Sequence, residues 1–128
     1  MDDLKKLVES DGFARHLGVE ILDSGDGHAR ASMQVEAYHL NSAGSLHGGA
    51  TFSLADAAFA AASNSRGTLA VAINVSIAYF KSVSTGTLVA EAHEVARSRK
   101  LATYLIDVTD EAGDLVAQLQ GTVYRKTS

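Results

Sequence analysis

Residues 49–65 read GATFSLADAAFAAASNS, and that stretch decides the fold. Seven alanines lie between Ala50 and Ser63, with Phe52, Leu54 and Phe59 among them. Alanine is the strongest helix former, so the stretch predicts one long helix from about Gly49 to Ser65, with Gly67 placed to cap its C-terminus. From Asn41 to Phe80 only Asp56 and Arg66 carry a formal charge. A helix this poor in charge is no ordinary surface helix. Small side chains on nearly every side let a sheet and other backbones approach closely. The expectation is a helix wrapped by a curved sheet on one side and covered by something else on the other.

Working outward, the chain is strand-like on both sides of this helix. Downstream, Val71, Ile73, Val75, Ile77 and Tyr79 alternate with small or polar residues, the period-2 pattern of a half-buried strand. Leu88 to Arg97 predicts a second strand. Tyr104, Ile106 and Val108 mark a third, and Leu115, Ala117, Leu119 and Val123 a fourth. The breaks are residues 84–87, 97–100 and 110–114. All are short, and hairpin-length connections predict antiparallel neighbours. Upstream, Val19–Ser24 and His28–Val35 flank Gly25-Asp26-Gly27 and read as two strands joined by a tight turn. Tyr38 to Gly49 is polar and reads as a loop. Asp2 to Ser10 carries Leu4, Leu7 and Val8 at helical spacing, with Asp11-Gly12 as a stop. The sum is an α+β, two-layer domain with a short N-terminal helix, a long central helix and an antiparallel sheet of about six strands.

With 128 residues the chain supports one domain, residues 1–128, around one core. One domain of this size leaves little to cover the helix's second side, so a second copy in two-fold symmetry is the expected lid. Net charge is −4, which argues against a nucleic-acid partner. There are no cysteines, which excludes disulfides, zinc–thiolate sites and thiol nucleophiles. No apolar run is long enough to span a bilayer, and Met1-Asp2-Asp3-Leu4-Lys5-Lys6 shows no secretory h-region. The expectation is a cytoplasmic protein that binds neither membrane nor nucleic acid.

Three features could carry chemistry. Asp56 lies two turns into the apolar helix between Leu54-Ala55 and Ala57-Ala58. A buried, unpartnered carboxylate is costly and takes a perturbed pKa, a mark of functional sites; the alternative is that Asp56 sits on the helix's one wet stripe. His47-Gly48-Gly49 stands where the loop becomes the helix. Helix starts offer unpaired N–H groups, and glycine lets a carbonyl come close, which are the materials of an oxyanion hole. A plain turn is the alternative there, and Asn41 could equally turn the loop. Arg97, Arg99 and Lys100 cluster at a predicted strand turn, either as a solvated hairpin tip or to meet the phosphates of a nucleotide carrier.

Geometry constrains these candidates. Gly48 and Asp56 are eight residues apart, about 12 Å along one helix, whereas reacting groups must lie about 3 Å from the reacting atom. If both act on one carbonyl, they come from different subunits. Other constellations fail. No Gly-x-Ser-x-Gly elbow, phosphate-binding Gly-x-x-x-x-Gly-Lys loop or Gly-x-Gly-x-x-Gly is present. The five histidines show no His-x-x-x-His spacing, and no metal site is expected.

Asn41-x-x-Gly44-x-x-His47-Gly48-Gly49, followed by Leu54-Ala55-Asp56, resembles the hotdog-fold acyl-CoA thioesterases, with the nearest likeness to the PaaI-type branch of phenylacetate degradation. The likeness continues through Phe59, Asn64-Ser65, Tyr79-Phe80 and residues 113–125. It implies a hotdog fold, in which a long helix is wrapped by a curved antiparallel sheet, assembled as dimers and dimers of dimers with the site at the interface. It implies hydrolysis of an acyl-CoA, with aryl- and phenylacetyl-type acyl groups among the candidates, and no cofactor. By the motif, Asp56 activates water or attacks the thioester, Gly48 supplies the oxyanion-hole N–H, and His47 and Asn41 position the carbonyl or the water. Gly49, Asn74, Ser76, Arg97, Arg99 and Lys100 are the implied substrate-binding residues.

This sequence departs from the pattern in two places. Many relatives orient water with a Ser or Thr on the strand after the helix, where Asn74 and Ser76 are the candidates here. Lys81-Ser82-Val83 stands where a proline commonly follows the aromatic-ended strand. Two other functions fit the same fold. One is a non-catalytic acyl or aromatic ligand sensor, for which a buried acid has no use. The other is a dehydratase of carrier-bound hydroxyacyl chains, which pairs histidine and acid differently.

Overall fold

The computed structural model describes residues 2–126, with side chains from residue 4 onward. Helix α1 spans Asp2–Glu9 and α2 spans Gly12–His16. Strands β1 (Glu20–Gly25) and β2 (His28–Gln34) form the expected hairpin, with Asp26 and Gly27 both at positive φ in the turn. A 3-10 turn at Ala37–His39 leads into the loop before α3, Gly48–Ser63. Strands β3 (Ala70–Tyr79), β4 (Thr87–Arg97), β5 (Leu101–Thr109) and β6 (Leu115–Arg125) complete the chain.

The six strands form one antiparallel sheet in the order β1-β2-β4-β5-β6-β3. The sheet wraps α3. Ala29, Ala31, Ala90, Ala92 and Ala117 are fully buried against a helix that itself buries Leu54, Ala55, Ala58 and Ala62 completely. Small residues on both layers let helix and sheet close on one another. Phe59, Tyr104, Met33, Leu88, Ile106 and Leu119 fill the remaining volume, each contributing roughly 1.5–3 kcal/mol by burial.

Three details differ from the sequence reading. The helix stops before Asp11 as expected, at Glu9, but Asp11 also opens a second short helix: its Oδ1 accepts the Phe13 and Ala14 N–H groups and so caps α2. The cap of α3 is Asn64, three residues before Gly67. Its Nδ2 donates to the Ala60 carbonyl, and its Oδ1 accepts from the Ala70 N–H, so one side chain closes the helix and opens β3. The third difference is topological. β3 and β4 are not neighbours: β3 pairs with β6 at the sheet's far edge, with Ile77 opposite Leu119. The link of residues 80–86 passes the start of α3, where Val83 accepts the Leu46 N–H. A short connection does not distinguish a hairpin from an arch over a helix end. In consequence, Val71 and Ile73 of β3 lie exposed on an open edge.

Candidate active site

The approach to α3 is held by local chemistry. Asn41 forms an Asx turn, its Oδ1 accepting from the Ala43 and Ser45 N–H groups at 2.9 and 3.2 Å. Gly44, at φ +81, completes the reversal. His47 follows, its own N–H donating to the His39 carbonyl at 2.8 Å. As N-cap of α3, His47 accepts the Gly49 N–H on Nδ1 at 2.8 Å. The neutral ring therefore carries its proton on Nε2, and the residue is exposed, so that N–H is free to face a ligand.

The first turn of α3 has one vacancy. The Gly49 N–H is taken by His47, and those of Ala50 and Thr51 by the His47 carbonyl. Among the described residues, the Gly48 N–H has no partner. It is an unpaired donor at the positive end of a helix, the arrangement that stabilises a developing oxyanion.

Asp56 is half-buried and makes no hydrogen bond or ion pair among the described residues. Burial pushes its carboxyl above the ordinary aspartate range, and the Asp11 carboxylate adds to the shift. The solvated-stripe alternative fits this poorly. Asp56 faces a cleft of about 530 Å³ that His47, Gly49 and Asp11 also line, with Phe13, Tyr38 and Phe52 supplying apolar walls. Gly48 opens instead onto a separate cavity of about 360 Å³ beside Thr51 and Tyr79. One chain therefore brings Asp56, His47 and Gly49 together but leaves the free Gly48 donor elsewhere.

The other sequence candidates lie apart from this cleft. Asn74 and Ser76 are exposed on β3, opposite Thr122 and Gln120. Arg97, Arg99 and Lys100 are exposed at the β4–β5 turn. Arg97 lies 3.7 Å from Glu94, a carboxylate also held by Arg66 just past the C-terminus of α3. Two residues of the site escaped the sequence reading. Asp11 reaches the cleft because it caps α2. His39 is 2% exposed and pins the loop: its Nδ1 accepts the Glu36 N–H, and its Nε2 donates to the Leu17 carbonyl. Glu36 and His39 stand at a spacing some metal sites use, but both ring nitrogens are consumed. Among the described residues no cluster of three or more His, Asp or Glu could hold a metal ion, and no helix is long and apolar enough to cross a membrane.

A six-stranded antiparallel sheet rolled around one long helix that carries a lone acid is the hotdog class of enzyme fold. The sequence profile described as the thioesterase superfamily matches residues 43–117, the loop, the helix and the strands up to the start of β6. The chain belongs to that superfamily and is a thioesterase of its PaaI-like branch. The acyl-coenzyme A thioesterase PaaI of Escherichia coli K12 is 37% identical over 120 residues, covering 93% of this chain and 86% of that protein. The solved structure of the E. coli PaaI protein superposes with a TM-score of 0.93 at 34% identity, covering 99% of this chain and 93% of that one. Human acyl-coenzyme A thioesterase 13 is 32% identical, covering 90% of this chain and 86% of that protein.

Proposed function

We propose that the protein is a cytoplasmic, homodimeric acyl-CoA thioesterase, further paired as a dimer of dimers, with acyl groups of aryl or phenylacetyl type. The observation that carries the reading is Asp56: a half-buried carboxylate without a partner, its proton affinity raised, facing a cleft with apolar walls. Such a group is disposed to take a proton from water. Asp56 removes that proton as the water oxygen bonds to the thioester carbon. The carbonyl oxygen becomes an oxyanion held by the Gly48 N–H of the partner subunit. Collapse breaks the carbon–sulfur bond, and the departing thiolate recovers the proton from Asp56. In the variant route, Asp56 attacks the carbon directly and water then opens the anhydride.

His47, through Nε2–H, and Asn41, through the second Nδ2 proton that its turn leaves free, position the carbonyl or the water. Gly49 has no free N–H and contributes close approach only. The dimer reading draws on two features: the exposed apolar edge of β3, and the separation of Gly48 from Asp56 within one chain. Antiparallel pairing of two β3 edges sets residue 70 of one chain beside residue 79 of the other. In this reading Arg97, Arg99 and Lys100, exposed at the β4–β5 turn, meet the coenzyme A phosphates, and Asn74 and Ser76, exposed on β3, lie along the seam. The test is purified protein, a panel of acyl-CoAs and a thiol reagent. Thiol release by the wild type, lost in both Asp56→Asn and Asp56→Ala, is the expected result; wild-type turnover in either variant overturns the role of the acid.

A further inference from the structure

The peptide between Gly48 and Gly49 is gripped at both ends. Its N–H donates to His47 Nδ1 at 2.8 Å, and its C=O accepts the hydroxyl of Tyr79, 31 residues downstream, also at 2.8 Å. Tyr79 is the last residue of β3 and is half exposed, so its ring is not there to fill the core. The phenol reaches the helix because position 48 has no side chain: a Cβ there would lie 3.1 Å from the Tyr79 oxygen and 3.2 Å from Cζ. Two consecutive glycines are the most mobile start a helix can have. Left to itself, such a turn would fray and spread the direction of its one free donor.

We infer that Tyr79 is a positioning residue of the oxyanion hole: its hydroxyl fixes the Gly48 carbonyl, and with His47 it holds the first turn of α3 so that the free Gly48 N–H points in one direction. This rests on the hydrolase reading above and adds a residue to it. An oxyanion hole works by being oriented before charge develops, so the loss falls on the chemical step and leaves ground-state binding alone. Burial pushes the Tyr79 phenol above its ordinary range, so it remains a donor throughout the neutral pH region.

Tyr79→Phe removes the hydroxyl and keeps the ring against Gly48. The expected result is kcat lowered about tenfold at unchanged KM, the loss of one oriented hydrogen bond, with an unchanged melting temperature. In 15N-labelled protein without substrate, the Gly49 amide of the variant should exchange with solvent several-fold faster than in wild type. Tyr124→Phe, on the adjacent strand, serves as the control and should change neither. A kcat within twofold of wild type, a loss confined to KM, or an unchanged Gly49 exchange rate overturns the proposal. The failures separate cleanly. If Asp56→Asn keeps turnover, the role given to the acid falls, and the exchange measurement still decides whether Tyr79 holds the turn. If Asp56→Asn is dead and Tyr79→Phe is fully active, only the Tyr79 inference falls.

Discussion

Gly121, in the middle of β6, measures how tightly the sheet grips α3. A Cβ built there would lie 2.6 Å from both Cε2 and Cζ of Phe59, which is 0.8 Å short of the 3.4 Å at which ordinary contact begins. Phe59 cannot give that distance freely: it is 1% exposed, and its ring packs against Tyr104 at 5.8 Å between centroids. Gly121→Ala is thus an overpacking change, with a penalty of about 1–3 kcal/mol. An opposing term exists. Gly121 is not at positive φ, so alanine suits the backbone and restricts the unfolded chain, worth about 0.4–1 kcal/mol. The steric term wins, and a net loss of about 1–2 kcal/mol follows, a fall of roughly 5 °C in melting temperature for a domain of this size. The assay is thermal and urea unfolding at fixed protein concentration, in wild-type and Phe59→Leu backgrounds. With leucine at 59 the clash is gone, and the same alanine should become neutral or slightly stabilising. Equal destabilisation in both backgrounds, or none in wild type, would refute the proposed clash.

Four further outcomes follow from the same structure. Asp56 titrates higher in the folded protein than the usual 3.8, so the fold prefers its protonated form; the stability that preference contributes is present below 3.8 and lost as pH rises through the folded value. Asp56→Asn should therefore melt higher than wild type at pH 7, with the gain vanishing at pH 3.5. Asp11→Asn keeps a competent cap but removes the carboxylate beside Asp56, so the acid limb of the pH–kcat/KM profile should move to lower pH. Glu94 behaves oppositely: burial works to raise its pKa, but hydrogen bonds from Arg66 and Tyr104 outweigh it and hold the group below the ordinary glutamate range. Its contribution is present at neutral pH and lost as pH falls through that lowered value, and Glu94→Ala, which strands the buried Tyr104 hydroxyl, should cost about 2–3 kcal/mol in urea unfolding at pH 7. Finally, if the proposed dimer forms through β3, Ile73→Lys on its open edge should leave the monomer fold intact yet halve the mass by sedimentation and abolish turnover.

How much of this was legible in the sequence depends on the range over which each residue acts. The long helix could be read from its alanines, and β2 from the alternation of Ala29, Ala31 and Met33, because both patterns are local. Asp56 could be singled out because it is a lone charge in an apolar run. The place of β3 could not be read: its alternation fits a central strand as well as an edge strand, and the pairing of Ile77 with Leu119 depends on a path over the helix start. Asp11-Gly12 is legible as the end of α1, but that Asp11 also opens α2 depends on the Phe13 and Ala14 amides it accepts. His39 gave no signal at all, since its role depends on the Leu17 carbonyl, 22 residues away in sequence. The Gly48 donor was readable as a helix start, but its being the unpaired N–H of that turn follows from the His47 ring accepting from Gly49 and the His47 carbonyl accepting from Ala50 and Thr51.

The isolation of Asp56 is itself the strongest clue to its use. A guanidinium beside it, such as Arg66 provides for Glu94, would remove the penalty of burial, but would also draw the pKa down and leave a carboxylate too weak to take a proton from water. A fully solvated carboxylate would escape both effects and titrate in the ordinary range. Asp56 avoids each of these outcomes: half-buried, unpaired, and facing a second carboxylate in Asp11 rather than a cation. The surrounding alanines make that possible, since Ala55, Ala57 and Ala58 bury the backbone on either side without offering a polar atom. The fold therefore accepts a local loss of stability at Asp56, the point where the proposed mechanism calls for proton affinity. The donor that would receive the opposite charge lies two turns away, on the glycines at the helix start. Because a single helix cannot present both ends to one carbonyl, the separation of Asp56 from Gly48 is the physical reason to expect two chains at each site.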